Sequence, residues 1–181
     1  MKKFILIIIT LMLFVFNVAE GKSTPDFYDQ KIKILTDRAD YYKEKSANQK
    51  DKFLKKIYRS YSEAKQTMVN GYIKMNKSEQ KCDKIFSSNP AIKLTALYPD
   101  ARNSNEKNIQ KSMDICLQNI QKAEQNGNDK LINQYNEIIK ALQLKTDGLE
   151  LISEGKKEYR NTRNKLLNRV IDPDKIHRGK L

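Results

Sequence analysis

Apolar residues recur at alternating four- and three-residue steps along most of the chain after residue 24. This spacing places them on one face of an amphipathic α-helix. The first stripe consists of Tyr28, Ile32, Leu35, Ala39 and Tyr42. A helix start precedes it at Thr24-Pro25, because Thr caps free backbone N–H groups and Pro fits the first helical position. The stripe fades in residues 43–52, so the pattern predicts either a turn there or a helix that continues into the next segment.

Two further stripes predict two more helices. Residues 51–87 form a long helix in this interpretation, with Tyr61, Met68 and Met75 buried, and the helix ends before Pro90. The rhythm fails between residues 90 and 103, where AIKLTAL has room for one or two helical turns. The third stripe follows Asn103, which forms a capping box with Glu106, and it ends at Asn126-Gly127.

The last stripe runs from Asn128 to about Ile171, ahead of Asp172-Pro173, and it predicts a helix roughly 60 Å long. Basic residues replace apolar ones at three of its positions, Lys145, Lys156 and Arg163. The sequence therefore predicts an all-α fold, an elongated antiparallel bundle of about four helices with long second and last helices. The basic residues on the stripe leave open a looser coiled coil that needs a partner chain.

The first residues, MKKFILIIITLMLFVFNVAEGKS, have the layout of a secretory signal. Lys2 and Lys3 precede an apolar run from Phe4 to Phe16, which is shorter than the roughly 20 residues of a membrane-spanning helix. We predict a cleaved signal peptide at residues 1–21, with a cut after Ala19 as the alternative and an uncleaved anchor as a minor one. No cysteine follows the run, so we expect no lipid attachment and no membrane anchor after cleavage.

Removal of this leader leaves 160 residues and reduces the net charge from +13 to +12. We expect one helical bundle domain at residues 22–171 and a flexible basic tail at 172–181. The protein is then exported, either secreted or associated with the outer cell surface, with the periplasm as the alternative.

The two cysteines, Cys82 and Cys116, both lie on apolar stripes. A zinc site needs about four ligands, and the sole histidine, His177, is far away in the sequence. Neither sulfur has a neighbouring base that would make it a nucleophile. In an exported protein two such cysteines normally pair. We therefore predict a disulfide between neighbouring antiparallel helices, with two buried free thiols as the alternative.

The chain contains no recognisable catalytic motif. It has no Gly-rich phosphate loop, no HExxH and no Ser/His/Asp set. Its carboxylate pairs are surrounded by lysines, so we interpret them as members of solvated ion pairs and not as catalytic groups. We therefore expect a protein that is not an enzyme and that uses no cofactor or metal.

The C-terminal segment from Lys156 onward contains nine lysines and arginines and three acidic residues. Its net charge of +6 is half of the +12 expected after removal of the leader. Such a run attracts polyanions through unspecific ionic contacts, such as a sulfated glycan, an anionic lipid surface or nucleic acid without sequence specificity. A solvated helix face is the alternative interpretation. The candidate anion-binding patch consists of Lys156, Lys157, Arg160, Arg163, Lys165 and Arg169.

The leader, the absence of a lipidation cysteine and the Lys/Asn-rich helical remainder together resemble the borrelial exported plasmid protein A family of spirochaetes. The resemblance implies a surface-associated or secreted antigen, encoded on a plasmid, that interacts with host molecules and has no established enzymatic activity. It supplies no functional residues.

Two other classes of exported protein remain as alternatives. One is an assembly component of an envelope or secretion apparatus, comparable to helical minor pilus proteins. The other is a chaperone that grips its clients between long helices, which requires exposed tyrosine and methionine stripes. The partner is then an unknown host or envelope protein, and oligomer formation stays open.

Overall fold

The computed structural model describes residues 24–170, and no strand occurs among them. Their regular structure consists of helices α1 (Thr24–Asn48), α2 (Lys52–Ser88), α3 (Pro90–Ala96), α4 (Glu106–Gln125) and α5 (Asp129–Val170). The predicted all-α bundle with long second and last helices is confirmed. It has five helices because AIKLTAL folds into the short α3. The predicted leader (1–21) and tail (172–181) lie outside the described residues.

The two long helices, α2 and α5, form the central antiparallel pair. Their direction follows from two contacts, Asp51 with Arg169 at one end and Glu79 with Lys145 further along. Glycines let the two backbones approach closely, because a Cβ on Gly148 would lie only 2.7 Å from the carbonyl oxygen of Gly71. Gly71 and Gly148 therefore place α2 and α5 in direct backbone contact.

The shorter helices cover two different parts of this central pair. Helix α1 packs antiparallel on α2, whereas α4 packs on α5 and α3 lies between α2 and α4. The larger apolar core is formed by α2, α3, α4 and α5 and contains Cys82, Ile92, Cys116 and Ile138. Tyr28, Leu35 and their neighbours form smaller apolar clusters under α1. The predicted burial of Tyr61, Met68 and Met75 is confirmed.

Side-chain caps fix where the helices begin. The Asp51 carboxylate accepts hydrogen bonds from the backbone N–H groups of Phe53 and Leu54, which starts α2 and separates it from α1. Asn105, and not Asn103, caps α4 by accepting from the N–H of Asn108 (2.9 Å). The predicted cap was two residues too early because residues 100–104 form a separate hydrogen-bonded turn.

Candidate anion-binding surface

Three helix segments meet at one end of the bundle. Near the end of α1, the Ser46 hydroxyl donates to the carbonyl of Lys55 in α2 (3.0 Å). Near the end of α5, Arg169 pairs with Asp51 at the start of α2 (3.5 Å). These contacts bring together the last turn of α1, the first turns of α2 and the C-terminal third of α5. We call residues 43–63 and 156–169 the basic end.

The positive charge of the molecule is concentrated at the basic end. Residues 43–63 contain seven lysines and arginines and three acids, and residues 156–169 contain six and one, which together give +9. The described residues 24–170 contain 29 basic and 19 acidic residues, or +10. The rest of the described chain is therefore nearly neutral, and a charged partner experiences a field directed from one end of the bundle.

The six residues of the candidate patch are all exposed, but they do not form one continuous surface. Steps of four and three residues place Lys156, Arg160 and Arg163 on one flank of α5. Lys165 and Arg169 lie four residues apart on the opposite flank, beside the start of α2. Sequence reasoning missed the share of α1 and α2, because their basic residues become part of this surface only when the three helices pack together.

Three cavities open at the basic end, and two of them, on opposite sides of α2, share lining residues. The first, of about 480 Å³, lies between α1 and α2 and is lined by Ser46, Lys52, Lys55 and Arg59 among others. The second, of about 440 Å³, lies between α2 and α5, with Phe53 and Ile57 as its apolar lining and Lys165 among its polar residues. Lys56 and Ser60 line both cavities. The cationic side chains thus surround shallow spaces where an extended ligand can lie.

Arg169 has a structural role at this end. Its guanidinium carbon lies 4.1 Å from the centre of the Phe53 ring, and it also pairs with Asp51. Hydrogen bonds from the backbone N–H groups of Leu54 and Phe53, assisted by Arg169, lower the pKa of Asp51. Within residues 24–170, Arg59 and Arg169 are the only cations of the basic end that form ion pairs with acids. The other cations keep their charge available to a ligand.

A group of tyrosines fills the interior next to the basic end. Tyr42 of α1 contacts Tyr61 of α2 (ring centres 5.1 Å apart), and Tyr61 contacts Tyr159 of α5 (4.8 Å). The hydroxyls of Tyr42 and Tyr159 are 3.5 Å apart. The Lys65 amine lies 3.9 Å from the centre of the Tyr159 ring. This part of the bundle is held together by aromatic rings and the Lys65 amine.

The predicted disulfide is not formed in this structure, where Cys82 and Cys116 are free, fully buried thiols. The prediction assumed that α2 and α4 lie side by side, whereas both helices pack mainly against α5. Burial raises the pKa of each thiol to about 12, so both stay protonated near neutral pH. A protonated, buried thiol is a poor nucleophile.

A buried ion pair joins the two parts of the bundle. The Lys145 amine, with 0% exposure, donates to the Glu79 carboxylate (2.7 Å) and to the carbonyl of Pro99 (2.5 Å). Glu79 also accepts from the Tyr28 hydroxyl of α1 (3.3 Å). The cluster thus ties α1, α2, α5 and the α3–α4 connection together. Lys145 interrupts the apolar stripe because Glu79, on the stripe of α2, provides its partner.

Two further properties apply to the part of the chain that the structure describes. None of its helices combines the length and apolar character needed to cross a membrane. Its His, Cys, Asp and Glu side chains nowhere gather in groups of three or more that could hold a metal ion.

No protein-family model, no curated protein and no solved structure matches this chain. The resemblance to the borrelial exported plasmid protein A family therefore rests on the leader and the composition alone.

Proposed function

We propose that this chain is an exported, non-enzymatic helical protein, secreted or surface-associated, whose basic end binds sulfated glycans of a host. The observation that carries the proposal is the distribution of charge, since +9 of the +10 on residues 24–170 lies on one end of the bundle. A charge excess that came from composition alone would be spread over both halves. The concentrated charge attracts polyanions to one surface.

The shape of the basic end supports a linear polyanion as the ligand. From residue 156 to residue 169, α5 advances roughly 20 Å, and its cations line two opposite flanks over this length. The cavity between α2 and α5 lies on the flank of Lys165, and Lys56 and Ser60 connect it across α2 to the cavity beside α1. Several sulfates of one glycan chain can therefore be neutralised together, and the release of counterions then makes binding salt-dependent.

Heparin chromatography with two charge-matched variants tests the proposal. One variant replaces four cations of the basic end with Gln: Lys55, Arg59, Arg160 and Arg163. The control replaces four exposed lysines outside it: Lys77, Lys107, Lys111 and Lys122. Both variants have the same net charge. We expect the first to elute at clearly lower salt than the wild type and the control to elute close to it. Elution of both variants at the same salt concentration would show that the basic end is not the binding surface.

The surface location needs a separate experiment in intact cells. We expect external protease to digest the protein without cell lysis, with a periplasmic protein as the protected control. Complete protection would contradict a role at the host interface, whatever the affinity for heparin.

A second candidate function, an assembly component of the cell envelope, is favoured by exposed leucines away from the basic end. Leu94 on α3 is 78% exposed and Leu97 is 52% exposed. Leu97 also has a left-handed backbone conformation (φ 47°), which is unfavourable for a leucine. Co-purification of a salt-resistant complex with envelope proteins, lost in a Leu94→Gln variant, would support this alternative.

A further inference from the structure

Each of the three helices at the tyrosine cluster carries a cation four residues from its tyrosine. The pairs are Arg38 and Tyr42 on α1, Tyr61 and Lys65 on α2, and Tyr159 and Arg163 on α5. Residues four apart are neighbours on a helix surface, so each tyrosine has a cation beside it. Because α1 and α2 are antiparallel, Arg38 and Lys65 lie at the same level of the bundle.

Lys65 differs from the other lysines next to the basic end because it is nine-tenths buried, with 8% exposure. Its amine lies over the ring of Tyr159 and forms no ion pair with any carboxylate of residues 24–170. Burial lowers the pKa of Lys65, and the charge of Arg38 lowers it further. Lys65 therefore experiences the positive charge of Arg38, and neither cation forms an ion pair with an acidic side chain among residues 24–170.

Two tyrosine hydroxyls belong to the same cluster. Tyr42 and Tyr159 are both half-buried, and their hydroxyls are 3.5 Å apart, at the limit of a hydrogen bond. The contact with Tyr159 and burial raise the pKa of Tyr42 to about 12. The Tyr42 hydroxyl thus stays protonated near neutral pH and can donate to an anion.

We propose that Lys65, Arg38 and the hydroxyls of Tyr42 and Tyr159 bind one sulfate group of the glycan chain. The inference rests on the proposed function and adds a defined subsite to it. A sulfate accepts several hydrogen bonds and neutralises two cations, which removes the repulsion between Arg38 and Lys65. The low polarity around the buried Lys65 side chain makes this contact stronger than one with a solvated lysine.

The subsite is continuous with the basic end. Helix α5 runs from Tyr159 towards Arg169, so Arg163 lies one turn nearer to Arg169 than Tyr159 does. Burial raises the pKa of Tyr61, and the positive charge of Arg163 opposes this rise. A glycan with one sulfate at Lys65 can therefore continue past Arg163 to the cavities beside α2.

Calorimetric titration with a sulfated heparin oligosaccharide distinguishes this subsite from general attraction. The variants are Lys65→Gln, Lys56→Gln in the basic end and Lys111→Gln on α4, each of which removes one charge. We expect Lys65→Gln to weaken binding at least tenfold, equivalent to about 1.4 kcal/mol. The two exposed lysines should change affinity less than about threefold, as expected for solvated charges. Equal losses in Lys65→Gln and Lys56→Gln would overturn the subsite.

Thermal unfolding separates a binding defect from a folding defect. Removal of the desolvated Lys65 charge should leave the melting temperature unchanged or raise it, so a loss of affinity cannot be attributed to unfolding. The Tyr159→Phe variant keeps the ring and removes the donor, and it should also bind more weakly. If Tyr159→Phe binds the oligosaccharide like the wild type, the hydroxyl contact proposed here is wrong.

Control titrations separate a failure of the sulfate subsite from a failure of the proposed function. Heparin from which the sulfates have been removed keeps its carboxylates, and we expect it to lose the difference between the wild type and Lys65→Gln. If that difference persists, the bound group is a carboxylate and the sulfate assignment is overturned. If the wild type binds no sulfated oligosaccharide, the proposed function itself fails. If it binds and the three lysine variants bind alike, the proposed function stands and the subsite does not exist.

Discussion

Two ion pairs of equal length in this protein should differ strongly in their effect on stability. The distance between the lysine Nζ and the glutamate Oε1 is 2.7 Å both in Lys145–Glu79 and in Lys140–Glu137. The side chains of the first pair are 0% and 7% exposed, and those of the second are 64% and 53% exposed. The two pairs thus differ in burial and in the further hydrogen bonds that Lys145 and Glu79 form with Pro99 and Tyr28.

The Glu79→Gln variant removes the negative charge and leaves the Lys145 ammonium buried beside the Pro99 carbonyl. Loss of one partner of a buried pair lowers the free energy of unfolding by about 3–5 kcal/mol. The matched Glu137→Gln variant should lose at most about 1 kcal/mol, because water solvates the remaining Lys140. For a chain of this size, the melting temperature should fall by about 6–20 °C in Glu79→Gln.

Urea unfolding followed by far-UV circular dichroism measures both variants at the same pH and ionic strength. The slope against urea should stay constant, so that a shift in midpoint reports stability. If the free energy of unfolding falls equally in Glu79→Gln and Glu137→Gln, the buried pair does not hold the bundle together in solution. Replacement of both partners, Glu79→Leu with Lys145→Met, should recover much of the loss, because no unpaired charge stays buried.

Three further predictions concern the helix contact and the thiols. Gly148→Ala should destabilise the fold by about 1–3 kcal/mol, because the added methyl group clashes with Gly71. Without this clash Ala would stabilise the helix interior. A variant that is more stable than the wild type would therefore rule out close contact between α2 and α5. Non-reduced protein unfolded in guanidinium should titrate two thiols per chain, and none would reveal a disulfide between Cys82 and Cys116. The free energy of unfolding should also fall as the pH rises from about 9 towards 12. Over this range the thiols lose their protons in the unfolded chain but keep them in the folded one, because burial raises their pKa. A free energy of unfolding that stays constant over this range would contradict the burial of the thiols.

The periodicity of the sequence predicted the helices well because the residues buried on one helix face are apolar and recur at regular spacing. The stripe of α2 predicted the burial of Tyr61, Met68 and Met75, and Gly127 (φ 60°) marks the turn between α4 and α5 as its position indicated. Periodicity does not specify which helices pack together. That is why the disulfide expected between α2 and α4 is not formed in the structure, where both helices pack mainly against α5.

The candidate site could be predicted only in part for the same reason. The basic run on α5 was visible as a local excess of charge, and all six predicted residues are exposed. The contributions of Lys55 and Arg59 depend on the packing of α1 and α2 beside α5. Lys65 lies among polar residues in the sequence, and nothing there shows that its amine is buried against Tyr159, a residue 94 positions away.

Lysine footprinting tests the central claim, that the basic end is the surface that binds sulfated glycans. The protein is briefly acetylated with and without a sulfated heparin oligosaccharide, and the modified lysines are quantified by mass spectrometry. We expect protection of Lys55, Lys56 and Lys156, and no protection of Lys107 and Lys111 on α4. Absence of protection, or equal protection of the lysines on α4, would contradict the account.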